Sequence, residues 1–319
     1  MPPASVPPDT APVLVAVVGP TATGKSDLAL ALAERLAGEV VGADAMQLYR
    51  GMDIGTAKLT VAERRGIPHH QLDQLGVRDE ASVAAYQRQA RADLEAITGR
   101  GHRPVLVGGS GLYVRAALDR LEIPPTDPVV RARLSAELER DGAAGLRARL
   151  VLLDPSAAEA IEPRNGRRLV RALEVIELTG RPFSATLPTR ELARPTVILG
   201  LRADRTALDA RIGARVDLMW EAGLLVEVES LLAKGLREGR TASRAIGYAQ
   251  AVAQLDGHVT SAQARAETAA GTRRLARRQE SWFTPDPRVV WLPSDAPDLL
   301  DRALAEVTAA DTGLRATQP

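Results

Sequence analysis

Residues 13–38, VLVAVVGPTATGKSDLALALAERLAG, leave little freedom in how the chain begins to fold. VLVAVV is a β-branched apolar run of strand length. A glycine-bearing turn follows at once, and then an amphipathic stretch that ends at Gly38. The turn matches G-x-x-x-x-G-K-[ST] at Gly19, Gly24, Lys25 and Ser26, between a strand and a helix, the setting in which that spacing carries meaning. Backbone N–H groups in such a loop point inward and the helix N-terminus adds its positive end. Gly19, Pro20, Thr21, Ala22, Thr23, Gly24, Lys25 and Ser26 are therefore expected to cradle a diphosphate or polyphosphate, with Lys25 on its terminal oxygens and Ser26 able to ligate Mg²⁺. The motif is the usual ATP-binding one, yet it reads no base, so ATP does not follow from it.

Downstream, EVVGAD (39–44) reads as a second strand, ASVAAYQRQARADLEAITGRG (81–101) as a helix and PVLVGG (104–109) as a third, buried strand. That alternation predicts an α/β fold, a P-loop NTPase-like parallel sheet with right-handed crossovers. Between 121 and 195 the pattern becomes short helical pieces punctuated by Pro, with no strand-like run, which predicts a helical insertion domain. TVILGLR (196–202) returns to the sheet. Helices are expected near 204–234, 243–256 and 260–283, then a strand RVVWL (288–292) and a last helix at 297–308. The core thus divides into 13–120 and 196–308, and residues 1–12 and 309–319 read as disordered ends, their Pro and small polar residues having little surface to bury.

PVLVGG ends in two glycines and Ser110 where an ATPase would carry a metal-binding acid. The only acid at a strand end is Asp44, which lies beside the phosphate loop if its strand neighbours the first. A carboxylate there serves as metal ligand, general base or helix N-cap. The formal net charge is +1, so any nucleic-acid contact must be local. Two stretches qualify: residues 131–171 hold nine Arg against six acids, and residues 265–278 five Arg against one Glu. The chain has no cysteine, which excludes thiolate metal sites and a cysteine nucleophile. It has no apolar run of membrane-spanning length, and a cytoplasmic monomer is expected.

ADAMQLYRGMDIGTAK (43–58) and IPHHQLD (67–73) are polar, glycine-bearing and non-periodic. Here the chain resembles the bacterial tRNA dimethylallyltransferases, which move a dimethylallyl group from its diphosphate to N6 of the adenine 3′ of the anticodon. GPTATGKS, Asp44, Gln47 and Tyr49, GMDIGTAK and PHHQLD carry the likeness. GGSGLY (108–113), RRLVRALEV (167–175), RVDLMWEAGLLVEV (215–228), RAIGY (244–248) and RRLARRQESWF (273–283) extend it. The resemblance implies dimethylallyl diphosphate and the tRNA anticodon stem-loop as substrates, with Mg²⁺ as cofactor. It implies a general base at Asp44, and catalytic roles for Lys25, for Ser110 (Thr in most of the family) and for Arg215 against the diphosphate. RNA contacts are implied for Asp44, Ala45, Met46, Gln47, Ser110, Arg131, Arg167, Arg168, Arg171, Arg244, Gly247, Tyr248, Arg273, Arg274, Arg277 and Arg278. Trp282 and Phe283 read as core anchors of a helix. Ala45, Ala249 and Thr284 depart from the family pattern. A small-molecule P-loop kinase is the competing reading, and prenyl transfer to free adenine nucleotides a third.

Overall fold

The computed structural model describes residues 12–186 and 190–316; the expected disorder of residues 1–11 and 317–319 lies outside the described residues. Six strands form the sheet: β1 (Leu14–Val18), β2 (Gly38–Gly42), β3 (His69–His70), β4 (Arg103–Gly108), β5 (Thr196–Arg202) and β6 (Val289–Pro293). Their order is β3-β2-β4-β1-β5-β6 and every pairing is parallel. Among the described residues eleven α-helices accompany them: α1 (Lys25–Arg35), α2 (Val83–Gly99), α3 (Gly111–Leu118), α4 (Pro128–Leu153), α5 (Pro155–Ala160), α6 (Gly166–Thr179), α7 (Arg205–Glu221), α8 (Leu224–Ala233), α9 (Tyr248–Leu255), α10 (Ser261–Phe283) and α11 (Leu299–Ala316).

β1 is buried along its whole length, which explains why it reads as an unbroken apolar run rather than an alternating one. α1 lays Leu28, Ala29, Leu32 and Ala33 on the sheet beside Val15, Val17, Val40 and Val105. Truncating Leu32, which is fully buried, is expected to cost about 2–5 kcal/mol. From β1 the chain runs outward to β2 and returns through β4, and β5 then adds on the far side of β1. The connections diverge between β1 and β4, and ligands of open α/β sheets bind beyond the carboxyl ends at such a point.

Three local expectations are corrected. The helix expected at 204–234 is broken by Gly223, whose φ of 96° lies in the left-handed region. PHHQLD contributes the edge strand β3, held by the Val40 N–H donating to Pro68 O and by parallel pairing with β2. The tail does not end its order at 308: α11 continues to Ala316 because Asp311 accepts the Val13 N–H and pairs with Arg103, anchoring the last helix to the strand starts.

The chain forms two compact units, Met1–Leu118 with Leu192–Pro319, and Asp119–Glu191. The second is helical. Asp127 caps α4, which bends at Gly142, and Asn165 and Gly180 bracket α6. Leu134, Leu146, Leu150, Leu169 and Leu173 form its core, and the buried Glu174 there accepts hydrogen bonds from Arg131, Arg171 and the Asp127 N–H.

Candidate active site

The phosphate loop leaves β1 at Gly19 and enters α1 at Lys25. Ala22 (φ 63°) and Gly24 (φ 83°) take left-handed conformations, the first at a cost of order 1 kcal/mol for a residue with a Cβ. Gly24 is the N-cap of α1 and offers no side-chain cap, so the amides of Gly24, Lys25 and Ser26 have no partner among the described residues. Open amides at a helix N-terminus form an anion site. Within the loop the Thr23 hydroxyl and the Lys25 ammonium both donate to Pro20 O. Ala22 packs against Leu208 and Ile212 of α7 and Ala276 of α10, so these two helices buttress the turn.

Asp44 follows β2, and β2 is not the neighbour of β1; β4 lies between them. The condition set on Asp44, that its strand neighbour the first, is therefore not met. Proximity comes instead from the glycine pair that ends β4. A Cβ on Gly108 would stand 2.2 Å from Ala43 O, and one on Gly109 would stand 3.1 Å from Gly19 O and 2.3 Å from Gln279 Nε2. Without side chains at both positions, the segments after β1 and β2 close over the end of β4. The Ser110 N–H then points at Ala43 O at 3.4 Å, and Ser110 opens α3.

Asp44 and Arg215 both act on the charge of Lys25. Burial pushes the Lys25 ammonium down to about 7; Asp44 opposes that shift and Arg215 adds to it. Burial raises the Asp44 carboxyl, against the Met46 N–H that donates to it at 2.9 Å and against the charge of Lys25. Arg215, projected by α7, is lowered by burial and partly restored by Asp27. A carboxylate whose charge is disfavoured by burial, beside a lysine whose charge is likewise disfavoured, is the electrostatic pattern common at acid–base sites.

The remaining expected residues sort by what they touch. Ala45, Met46 and Gln47 form the turn after Asp44, where Gln47 donates to Thr56 O and lines a small cleft with Ser26, His69 and Leu72. Arg244, Arg274, Arg277 and Arg278 are exposed, and their guanidinium groups have no hydrogen-bond or ion-pair partner among the described residues. Arg273 donates to Asp209 O. In the second unit, Arg167 and Arg168 are exposed, whereas Arg131 and Arg171 are spoken for by Glu174. Gly247 and Tyr248 are buried. The Tyr248 hydroxyl donates to Glu227 and the ring lies against Gly55, which ties it to the loop of residues 53–58. Phe283 is in the core as expected, while Trp282 is 42% exposed and rests on Gly111.

Several residues escaped the sequence reading. Glu227 accepts the N–H groups of Asp53 and Ile54, and Lys58 bridges Asp53, Asp73 and Tyr49 O. Gln279 accepts the Thr21 N–H at 2.8 Å. Each was visible only as one letter of a longer motif.

The model of the family described as IPP transferase matches residues 47–286. The chain belongs to the IPP transferase family. Among relatives, a tRNA dimethylallyltransferase of a Nocardioides species is 61% identical, covering 94% of this chain and 97% of its own length. Another, from Thermobifida fusca, is 62% identical over 92% and 94%. The full-length tRNA isopentenylpyrophosphate transferase of Bacillus halodurans has a similar structure, with a TM-score of 0.70 at 39% identity over 95% and 97% of the two chains. A eukaryotic dimethylallyltransferase solved acting on tRNA gives a TM-score of 0.81 at 25% identity, over 97% of this chain and 81% of its own. The likeness thus spans the sheet and both units.

Proposed function

We propose that the protein transfers a dimethylallyl group from dimethylallyl diphosphate to N6 of the adenine 3′ of the tRNA anticodon, releasing diphosphate, as a cytoplasmic monomer. The observation that carries this is the meeting of open loop amides with Lys25, on whose charge both Asp44 and Arg215 act. The allylic C–O bond breaks and its electron pair leaves with the diphosphate; the N6 lone pair forms the new C–N bond, and the N6 proton passes to the Asp44 carboxylate. Loop amides, Lys25 and the planar fork of Arg215 hold the charge that develops on the departing oxygens. Asp44 accepts or orients the proton of a weakly nucleophilic aromatic amine, help worth about 10²–10⁴-fold. Gln47 and Ser110 flank Asp44 as the groups best placed to receive an adenine swung out of its stack.

Among the described residues no cluster of three or more His, Cys, Asp or Glu side chains offers a metal cage. The Ser26 hydroxyl, beside the open amides of the loop, would hold Mg²⁺ together with oxygens of the diphosphate. Bound there, it supplies further neutralisation of the leaving group. No helix among the described residues is long and apolar enough to cross a membrane.

The test is incubation with Mg²⁺, dimethylallyl diphosphate and a tRNA carrying A-A-A after the third anticodon base, with mass spectrometry of the digested RNA. Prenylated adenosine is expected. Phosphate transfer from ATP with no modified RNA would overturn the reading, and modification of AMP alone would reassign the acceptor.

A further inference from the structure

Gln279 sits in the last turns of α10, amid a run of arginines, yet it is only 7% exposed. Its Oε1 accepts the Thr21 N–H at 2.8 Å, across 258 residues of chain. Its Nε2 lies where a Gly109 Cβ would be, and one turn on, the Trp282 ring lies where a Gly111 Cβ would be, 2.7 Å away. The end of α10 is thus keyed into a slot formed by the phosphate loop on one side and the segment carrying Ser110 on the other. Thr21 is the one residue of the turn whose amide is claimed by a side chain; beyond it, the amides of Gly24, Lys25 and Ser26 remain open. A backbone N–H that loses a partly buried acceptor must find another, and the nearest way to do so is to rotate the peptide, which would disturb the left-handed Ala22 next to it.

We propose that Gln279 is a positioning residue for leaving-group binding: by holding the Thr21 amide, it fixes the turn in the shape that keeps the following amides turned toward the diphosphate. This rests on the reading that the loop takes a diphosphate. It assigns Gln279 no contact with the reacting atoms, so its effect falls on donor binding and not on the chemical step.

Gln279→Met, of similar volume but without an acceptor, is the direct test in the full-length protein. Inorganic pyrophosphate binding is expected to weaken about tenfold, with KM for the donor rising by a similar factor, kcat within about twofold and tRNA affinity unchanged. Unchanged pyrophosphate affinity in a folded Gln279→Met protein overturns the proposal, as does a loss confined to kcat. Gln279→Glu keeps an acceptor for Thr21 and adds a negative charge near the cradle. Its pyrophosphate affinity is expected to be weak at low salt and to approach wild type as salt is raised, whereas the Gln279→Met defect is expected to be salt-independent. A Gln279→Glu defect that salt does not relieve means packing, not the hydrogen bond, is what matters, and overturns the assignment even where Gln279→Met fails to fold. Wild-type protein that binds no pyrophosphate removes the functional reading beneath it instead.

Discussion

At the scale of the residue, the site consists of charges held at a disadvantage. Burial lowers Lys25 to about 7 in the free protein, so above that pH the side chain is largely neutral until an anion arrives. Pyrophosphate binding is therefore expected to take up a proton between pH 7 and 10.5, and its affinity to fall by up to about tenfold per pH unit over that window; calorimetry in buffers of different ionisation enthalpy reads both. The same depression means the folded protein binds fewer protons than the unfolded one across that range, so this group's contribution to stability rises with pH there and its penalty is full below 7. Lys25→Met is accordingly expected to raise Tm at pH 6–7 while abolishing pyrophosphate binding. Asp44 has the opposite role. Asp44→Ala is expected to cut turnover at least about a hundredfold and leave tRNA affinity nearly unchanged, checked by single-turnover kinetics and filter binding.

At the scale of the element, much of the fold was legible and the reasons for the misses are local. β1, β4 and β5 announce themselves because strands buried on both faces must be apolar throughout. β3 could not be read: two histidines after a proline have no period, and only β2 makes them a strand. Gly223 ends one helix and begins another at a position where sequence alone tolerates either. The phosphate loop and the end of β2 were readable from spacing, but what brings Asp44 to Lys25 is the missing side chains of Gly108 and Gly109, which the sequence presents only as a gap where an acid was sought. GMDIGTAK was recognisable as a motif and opaque as to purpose. Its loop is tied down by Glu227, Tyr248 and Lys58, so most of its letters are scaffold for the turn that bears Gln47. Glu227→Ala is expected to cost about 1–3 kcal/mol and to speed hydrogen exchange at Asp53 and Ile54, with pyrophosphate affinity retained. Slow exchange at those amides in the variant would show that the loop does not depend on this carboxylate.

For the molecule as a whole, a net charge of +1 leaves RNA affinity to particular surfaces. The exposed guanidinium groups of Arg274, Arg277 and Arg278, on the first unit, are the surface we propose for the RNA, whereas half of the arginines singled out on the second are consumed internally by Glu174. Replacing those three by Ala is expected to weaken tRNA binding and to lower the slope of log K against log salt by about 2–3, with pyrophosphate affinity unaffected. An unchanged slope would place the RNA elsewhere.

The bond between Thr21 and Gln279 also has a bearing on how the protein is made. At about 5–20 residues per second, a ribosome delivers the second partner roughly 13–50 s after the first. During that interval the nascent cradle has its own bonds to Pro20 O and, once α7 is made, Leu208 and Ile212 beside Ala22, but no acceptor for the Thr21 amide. On the proposal made for Gln279, a chain stalled short of α10 would carry the whole signature motif and grip an anion more weakly than the finished protein.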